Sequence, residues 1–254
     1  MTDLIRSEVL KVRSTQVWLW MILPAVAFTA LGTVGTVYDS IHNDYRHGDQ
    51  INYYSVFTQF GGAAVALLVI GVLGLTTEFR HKTITPTLLA TPDRWKLIIG
   101  KSISYLVFAV FYSILCIIVN FAIAISWLNA EGAPVSFGHG VTGGVIKTFL
   151  SLVITALFGL GLGALIRNQA AGMVIGIIYF TVLDGLLGNV PKVRLVWPYT
   201  PGGAASAFTS KGHNDNIPTD IHQIAPLAGG LIFLAWAVLL VVLGGNVSLR
   251  RDIS

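Results

Sequence analysis

Charged residues are scarce in this sequence, and their scarcity decides the class of protein. Only 11% of the 254 residues are Asp, Glu, Lys or Arg, whereas soluble domains carry about 25%. Apolar residues make up 54% of the chain, and the mean hydropathy is +0.73. Such a composition excludes an ordinary soluble domain and predicts an integral membrane protein.

The single cysteine, Cys116, excludes an intrachain disulfide and a cysteine-based zinc site. It falls in an apolar run, and we interpret it as a small buried residue. The loop that follows the first apolar run contains His42, Asp44, His47 and Asp49, but their spacing does not specify a metal site. We therefore predict a solvated loop there and no metal.

Catalytic and nucleotide-binding motifs are also missing. The only GKS, at 100–102, has Trp95 at the position where a phosphate-binding loop requires glycine. No paired acid and base residues stand out either. We expect a chain that is not catalytic and that binds no cofactor of its own.

The net charge of +4 and the pI near 9.3 raise the possibility of nucleic-acid binding. No basic face or nucleic-acid motif accompanies this charge. In a membrane protein, Lys and Arg concentrate in the cytoplasmic loops. The basic residues therefore report how the chain is oriented in the membrane. We expect no nucleic-acid partner.

Six apolar runs are long enough to cross a bilayer, which takes roughly 20 residues in a helix. They predict an all-α integral membrane fold in a single transmembrane domain, 1–254, without a nucleotide-binding domain. The predicted spans are 17–37, 56–76, 102–128, 148–166, 170–190 and 225–245.

The distribution of Lys and Arg predicts the orientation of these spans. With the N-terminus inside, eleven Lys and Arg residues lie on the cytoplasmic side and five lie outside. The segment 77–101, between the second and third spans, holds five of the sixteen. We expect a multi-pass protein of the plasma membrane with both termini in the cytoplasm.

Two segments outside the spans have predicted structure. Apolar residues of the N-terminal segment share one helical face and predict a helix lying in the membrane interface. These residues are Leu4, Ile5, Val9 and Val12. The loop 191–224 is broken by proline and glycine, which predicts short outer helices or a re-entrant hairpin before the sixth span.

This outer loop and the fifth span supply the candidate pathway residues. Pro198, Tyr199 and Pro201 would form part of a lid, or outer gate. Asp184 is the acidic residue of the fifth span, where an acid suggests function by default. The fifth span runs outward, so Asp184 lies toward its outer end. Its role stays open between a pathway or structural hydrogen-bonding role and simple exposure to water.

The segment 77–101 predicts a docking element. Thr85–Pro86 and Thr91–Pro92 each combine an N-cap residue with a first-turn proline, so two short helices are expected. The second of them would continue into the third span. The first presents Thr87, Leu88 and Leu89, an apolar tip that favours contact with another protein.

The same segment resembles a pattern found in permease subunits of ATP-binding-cassette (ABC) exporters of the type-2 membrane family. The residues that carry the resemblance are Glu78, Arg80, Thr83, Leu88, Leu89, Pro92, Arg94 and Lys101. Lys82 departs from the pattern, because many members have glycine there. The six-span layout with a long last outer loop is also similar to that family.

The resemblance implies a coupling helix between spans two and three that rests on a separate ATPase. It implies two permease chains, here expected to be a homodimer in membrane lipid, with two ATPase subunits that hold ATP and Mg. Apart from the resemblance, the pair Glu78 and Arg80 near the end of the second span could hold the coupling helix to the membrane elbow by charge-assisted bonds; the alternative is a screened surface pair.

The leading interpretation is therefore an ABC permease that exports an amphipathic or hydrophobic compound. Two alternatives stay open: a non-transporting membrane binding or assembly protein, and a stand-alone secondary transporter. The latter favours several polar residues near mid-membrane or paired broken helices. Only Asp184, Asn120 and Gln59 are candidates for such residues, which counts against this alternative.

Overall fold

A computed structural model describes the fold of the chain. The residues that it describes are 17–44, 50–60, 62–80, 94–138, 140–190, 193, 195–211 and 224–250. They form helices and connecting turns, and this described part contains no β-strand. Six helices are long and apolar enough to cross a membrane. The prediction of an all-α, six-span membrane protein is confirmed.

The helices are numbered in chain order over the described residues. The first four are α1 (Val17–Asp39), α2 (Tyr53–Thr58), α3 (Ala63–Arg80) and α4 (Arg94–Ala130). The others are α5 (Val141–Ile166), α6 (Gln169–Ile178), α7 (Asp184–Asn189), α8 (Pro201–Thr209) and α9 (Pro226–Arg250). Two π-helical turns, Ser40–Asp44 and Tyr179–Leu183, continue α1 and join α6 to α7.

The second span is interrupted, which the sequence did not lead us to expect. Its predicted limits, 56–76, cover the end of α2 and most of α3. Between these helices Gln59 and Phe60 leave the helical conformation. The second span therefore consists of a short helix, a break and a long helix.

The third span begins earlier than its apolar run. Helix α4 is continuous from Arg94 to Ala130, so the segment that precedes the predicted span at 102 belongs to the same helix. At 37 residues and about 1.5 Å per residue, α4 is longer than a bilayer core is thick. The second short helix predicted at Thr91–Pro92 was expected to continue into this span, and the described part of the helix, from Arg94 onward, does so.

Helix α5 lies at the centre of the bundle and packs against α3 and α9 most extensively. Glycine allows the backbones of α3 and α5 to touch. A Cβ on Gly71 would lie 2.0 Å from the carbonyl oxygen of Ala156, and one on Gly159 would lie 2.2 Å from that of Leu68. We call this contact, formed around Gly71, Gly159 and Gly163, the seam.

The fifth span uses its small residues in the same way. The pair Gly172 and Gly176, whose spacing favours close packing, faces Val72 and Leu68 of α3. The opposite surface of this span is apolar and exposed, as at Val174 and Ile175. An exposed apolar face of this length suits lipid or another membrane helix.

The two ends of the bundle are formed by different elements. At one end, which we call the basic end, α3 finishes at Arg80 and α5 at Ile166, and Gly245 of α9 packs against Trp95. At the opposite end, which we call the cleft end, α4 finishes at Ala130 and α8 packs against α9.

Candidate functional site

A cleft of about 360 Å³ opens at the cleft end, bordered by the break in the second span, α5, the fifth span and α8. Most of its lining side chains are polar and uncharged. The polar lining consists of Thr58, Gln59, Thr148, Ser151, Thr155, Asp184, Ser206 and Thr209. Apolar contact surface comes chiefly from Phe60, Leu152 and Phe180.

The break in the second span exists because other helices satisfy its carbonyl groups. The last carbonyls of a helix have no partner within it, and an unpaired carbonyl in hydrocarbon is costly. Asn120 of α4 donates from Nδ2 to the Val56 carbonyl at 3.1 Å. Thr148 of α5 donates from Oγ1 to the Thr58 carbonyl at 3.2 Å. The break is therefore a built feature of the fold.

The fifth span changes its helical geometry where it reaches the cleft. The π-helical turn Tyr179–Leu183 inserts extra backbone just before Asp184. Such turns are rare and are frequent at functional sites. Phe180, within this turn, and Asp184, directly after it, both line the cleft.

Asp184 contacts the start of the segment 195–211, which we call the outer hairpin after its predicted side of the membrane. Its Oδ1 accepts a hydrogen bond from Trp197 Nε1 at 3.1 Å and lies 3.4 Å from the Thr200 hydroxyl. Thr200 is the N-cap of α8 and accepts from the Gly203 amide at 3.2 Å. A negative charge beside a helix N-terminus is favourable.

Glycine is required where the carboxylate meets α8. A Cβ on Gly202 would lie 2.1 Å from Asp184 Cγ, and one on Gly203 would lie 1.9 Å from the Trp197 carbonyl oxygen. The Pro201-Gly-Gly sequence therefore lets the first turn of α8 close onto Asp184. Asp184 is thus a half-buried residue of the cleft wall whose carboxylate accepts a hydrogen bond from Trp197.

The other end of α8 is held by a cation. Lys147 of α5 donates from Nζ to the Ser210 carbonyl, and the hydroxyl of Tyr54 donates to the Thr209 carbonyl. Lys211 Nζ lies 5.0 Å from the centre of the Tyr54 ring. Positive charge at a helix C-terminus complements the helix dipole, so α8 has an acid at its start and a base at its end.

The predicted gate residues lie in this hairpin, where the chain forms two short helices, and the position of these helices on the outer side of the membrane is still a prediction. Pro198 is buried in the 3-10 turn Trp197–Tyr199, and Pro201 is buried at the first position of α8. Tyr199 has an exposed side chain, while its carbonyl accepts from Trp236 Nε1 at 2.9 Å. These contacts join the hairpin to the sixth span.

At the basic end, the second span contacts the turn between the fourth and fifth spans. Arg80 donates from Nη1 to Gln169 Oε1 at 3.2 Å. The Arg167 guanidinium lies 5.7 Å from the centre of the Phe79 ring. Asn168 caps α6 by accepting from the Ala171 amide at 3.1 Å. These contacts link α3, α5 and α6 directly.

Most of the predicted coupling and interfacial residues fall outside the described structure. The residues concerned are Leu4, Ile5, Val9, Val12, Thr83, Thr87, Leu88, Leu89 and Pro92. Glu78 and Arg94 lie in helical backbone, but their side chains are outside the description. The predicted pairing of Glu78 with Arg80 is therefore still a prediction, and the described partner of Arg80 is Gln169.

The hydroxyl face of α5 was not recognised from the sequence. Thr148, Ser151 and Thr155 recur at spacings of three and four, which places them on one face of a helix. This periodicity could have identified the cleft wall. Across the described residues, no group of three His, Cys, Asp or Glu side chains could hold a metal ion.

Comparison with known proteins addresses the family of the chain. No curated protein matches it significantly. A protein-family profile described as an ABC-2 family transporter protein matches residues 4–183. The match includes the first four spans, the interrupted second span, the hydroxyl face of α5 and the fifth span as far as its π-helical turn. The chain therefore belongs to the ABC-2 family of transporter proteins and is a multi-pass membrane permease of the ABC-transporter type.

Proposed function

We propose that this permease exports an amphipathic or hydrophobic compound with energy from a separate ATPase subunit. The observation that carries the proposal is the family match over a chain that has no phosphate-binding loop. ATP and Mg would then be bound by the partner, and this chain would receive work through contact.

The basic end is the surface proposed for that contact. Residues 83–91, with the apolar tip Leu88 and Leu89, follow directly after α3. Arg80 at the end of α3 bonds to Gln169, so a displacement delivered there would reach the second and fifth spans together. Under this proposal the basic end faces the cytoplasm and the cleft end faces outward across the plasma membrane.

A functional transporter would contain two permease chains and two ATPase subunits. We propose a homodimer, because the fifth span has a long exposed apolar face that another membrane helix can cover. Lipid would cover the remaining apolar surface. The cleft, with hydroxyl groups beside Phe60 and Phe180, suits an amphipathic compound better than a purely apolar one.

Co-purification tests the coupling surface. The chain would be co-expressed with a candidate ABC ATPase, and the permease would be captured from detergent extract. Leu88→Asp/Leu89→Asp should abolish recovery of the ATPase, because a charged tip cannot enter an apolar groove. Leu195→Asp is the matched control, since Leu195 is an exposed leucine of the outer hairpin and its replacement should leave recovery unchanged.

Two results would overturn the proposal. ATPase recovery that persists both in the double variant and after deletion of 83–91 would exclude this coupling surface. Transport by the reconstituted permease on an ion gradient, without ATP, would exclude an ATPase-driven mechanism.

A further inference from the structure

We infer that the cleft binds an uncharged group rich in hydroxyls or amides, with an apolar chain attached to it. This inference deepens the proposed export function and rests on it for the identity of the ligand as cargo. The chemistry of the bound group follows from which polar side chains of the cleft already form hydrogen bonds within the protein.

Asp184, the charged residue of the cleft lining, and Lys147, which precedes the lining residue Thr148, both form hydrogen bonds with the outer hairpin. Asp184 accepts from Trp197 at the start of α8, and Lys147 donates to Ser210 at its end. The negative charge of Asp184 lies at the positive N-terminal end of α8, and Lys147 lies at its negative C-terminal end, so neither charge needs a counter-charge from a ligand. An anionic ligand would meet the Asp184 carboxylate. The electrostatics of the cleft therefore favour a neutral ligand.

Three other polar groups in the cleft are uncommitted. Among the described residues, the side chains of Gln59, Ser151 and Ser206 form no hydrogen bond, and all three line the cleft. Gln59 is exposed, and it sits in the break of the second span. One amide and two hydroxyls supply both donors and acceptors, which is what a hydroxyl or amide ligand needs.

The neighbouring hydroxyls add acceptors rather than donors. Thr155 donates to the Ser151 carbonyl at 2.8 Å, and Thr209 donates to the Ala205 carbonyl at 3.1 Å. Each hydroxyl oxygen can still accept a hydrogen bond, and both residues line the cleft. Ligand hydroxyls could donate to these oxygens while accepting from Gln59.

Apolar surface lies beside these polar groups. Phe60 borders the break, Leu152 lies between the hydroxyl residues of α5, and Phe180 belongs to the π-helical turn. An acyl or alkyl chain can lie against these side chains while its head group meets Gln59 and Ser151. The cleft thus combines both parts of a neutral amphiphile site.

Photolabelling of the permease alone tests this inference. The probe is an octyl glucoside with a diazirine in its alkyl chain, applied to the protein in nanodiscs. Octyl trimethylammonium and octyl sulfate with the same diazirine are the charged comparators. We expect the glucoside to label peptides containing Phe60, Leu152 or Phe180, and unlabelled octyl glucoside to compete. The charged probes should label these peptides less.

Paired variants separate the cleft from general membrane labelling. Gln59→Leu and Ser151→Ala should each lower cleft labelling by roughly fivefold, the effect of one lost hydrogen bond. Ser113→Ala is the control, because Ser113 is a buried serine of α4 whose hydroxyl also has no partner among the described residues. Its labelling should stay at the wild-type level.

The inference is overturned if cleft labelling is not saturable, if either charged probe labels the cleft as strongly as the glucoside, or if both cleft variants label like Ser113→Ala. A near-unchanged melting temperature in Ser151→Ala ensures that lost labelling does not reflect unfolding. Because no ATPase is present, this outcome is independent of the co-purification test: either result can fail while the other stands.

Discussion

The second and fourth spans meet in two places, and the two contacts are built differently. At the seam, Gly159 lets α5 touch the backbone of α3 at Leu68. Towards the cleft end the two spans stay in contact through the hydrogen bond from Thr148 to the Thr58 carbonyl, but Gln59 of the second span and Ser151 of the fourth border a polar space beside it. Close backbone contact leaves no room for rearrangement, whereas hydroxyl groups around a cavity can exchange partners.

This difference suggests how the molecule divides into parts. Helices α3 and α5 form one unit along the seam, and this unit joins the Arg80–Gln169 contact at the basic end to the cleft wall. Ser151 and Gly163 are separated by twelve residues of one helix, a distance of about 18 Å. We expect the unit to move as a body, while α7 and α8 change position at the cleft.

The seam should be the feature most sensitive to substitution. Gly159→Ala places a Cβ 2.2 Å from the Leu68 carbonyl oxygen, so the helices must move apart. We expect the free energy of unfolding to fall by about 3 kcal/mol, measured as a lower melting temperature in detergent.

Gly143→Ala, on the same helix as Gly159, is the matched control. A Cβ added at Gly143 would meet no described atom of a neighbouring element within 4 Å. The substitution should be neutral or stabilising, since alanine is the better helix former. Equal effects of the two substitutions would show that the seam is no tighter than the rest of α5.

Removal of the Asp184 carboxylate should have the second largest effect on stability. The effect should be local to the cleft end. Asp184→Ala leaves the Trp197 N–H without its acceptor, at a cost of about 2 kcal/mol. Hydrogen exchange should become faster in peptides covering 197–209 and stay slow in α3.

Asp39→Ala provides the control for this prediction, because Asp39 accepts from Asn43 at 2.5 Å and has no role in the outer hairpin. Unchanged exchange in α8 after Asp184→Ala would contradict the role of this carboxylate in holding the hairpin.

Asn120 should contribute less to the free energy of unfolding than Asp184 does, and its contribution should be to the break in the second span. Asn120→Leu removes the donor to the Val56 carbonyl and to the Thr33 hydroxyl. We expect a loss of about 1.5 kcal/mol, with faster exchange confined to peptides around 56–60.

Asn189→Leu is the comparison, because Asn189 is exposed and bonds only locally to the Gly185 carbonyl within the described structure. If exchange near the break were the same in both variants, Asn120 would not be what stabilises the interruption.

The smallest effect on stability is expected at the basic end. Arg80→Gln shortens an exposed side chain that bonds to Gln169, and the unfolding free energy should change by less than about 1 kcal/mol. ATP-driven transport in proteoliposomes should fall nonetheless, because this contact links the end of α3 to α6. Full transport in Arg80→Gln would remove the contact from the coupling path.

Much of the fold follows from sequence patterns, since a span is a local property of about 20 residues. The outer helices also follow locally, from Thr200 and Pro201 at the start of α8. The break at Gln59 does not, because Asn120 and Thr148 stabilise it from other helices. The Gly61–Gly62 pair was the local signal available for it.

Less of the candidate site than of the fold could be predicted from the sequence. Asp184 was identified because an acid is unusual in a span, but its partners Trp197 and Thr200 depend on how the hairpin folds back. The hydroxyl face of α5 had a periodic signal, yet serine and threonine are also common in membrane helices for packing. Only the tertiary structure shows that this face borders a cleft.

Spin-label distance measurements on the proposed complex of the permease with its ATPase test the division into parts most directly. In a Cys116→Ser background, one pair of labels would join Leu150 of α5 to Leu186 of α7, and another would join Leu150 to Thr77 of α3. The account predicts that the Leu150–Leu186 distance shifts between nucleotide-free and ATP-bound states, while the Leu150–Thr77 distance stays constant. A shift in the Leu150–Thr77 distance, or a constant Leu150–Leu186 distance, would contradict it.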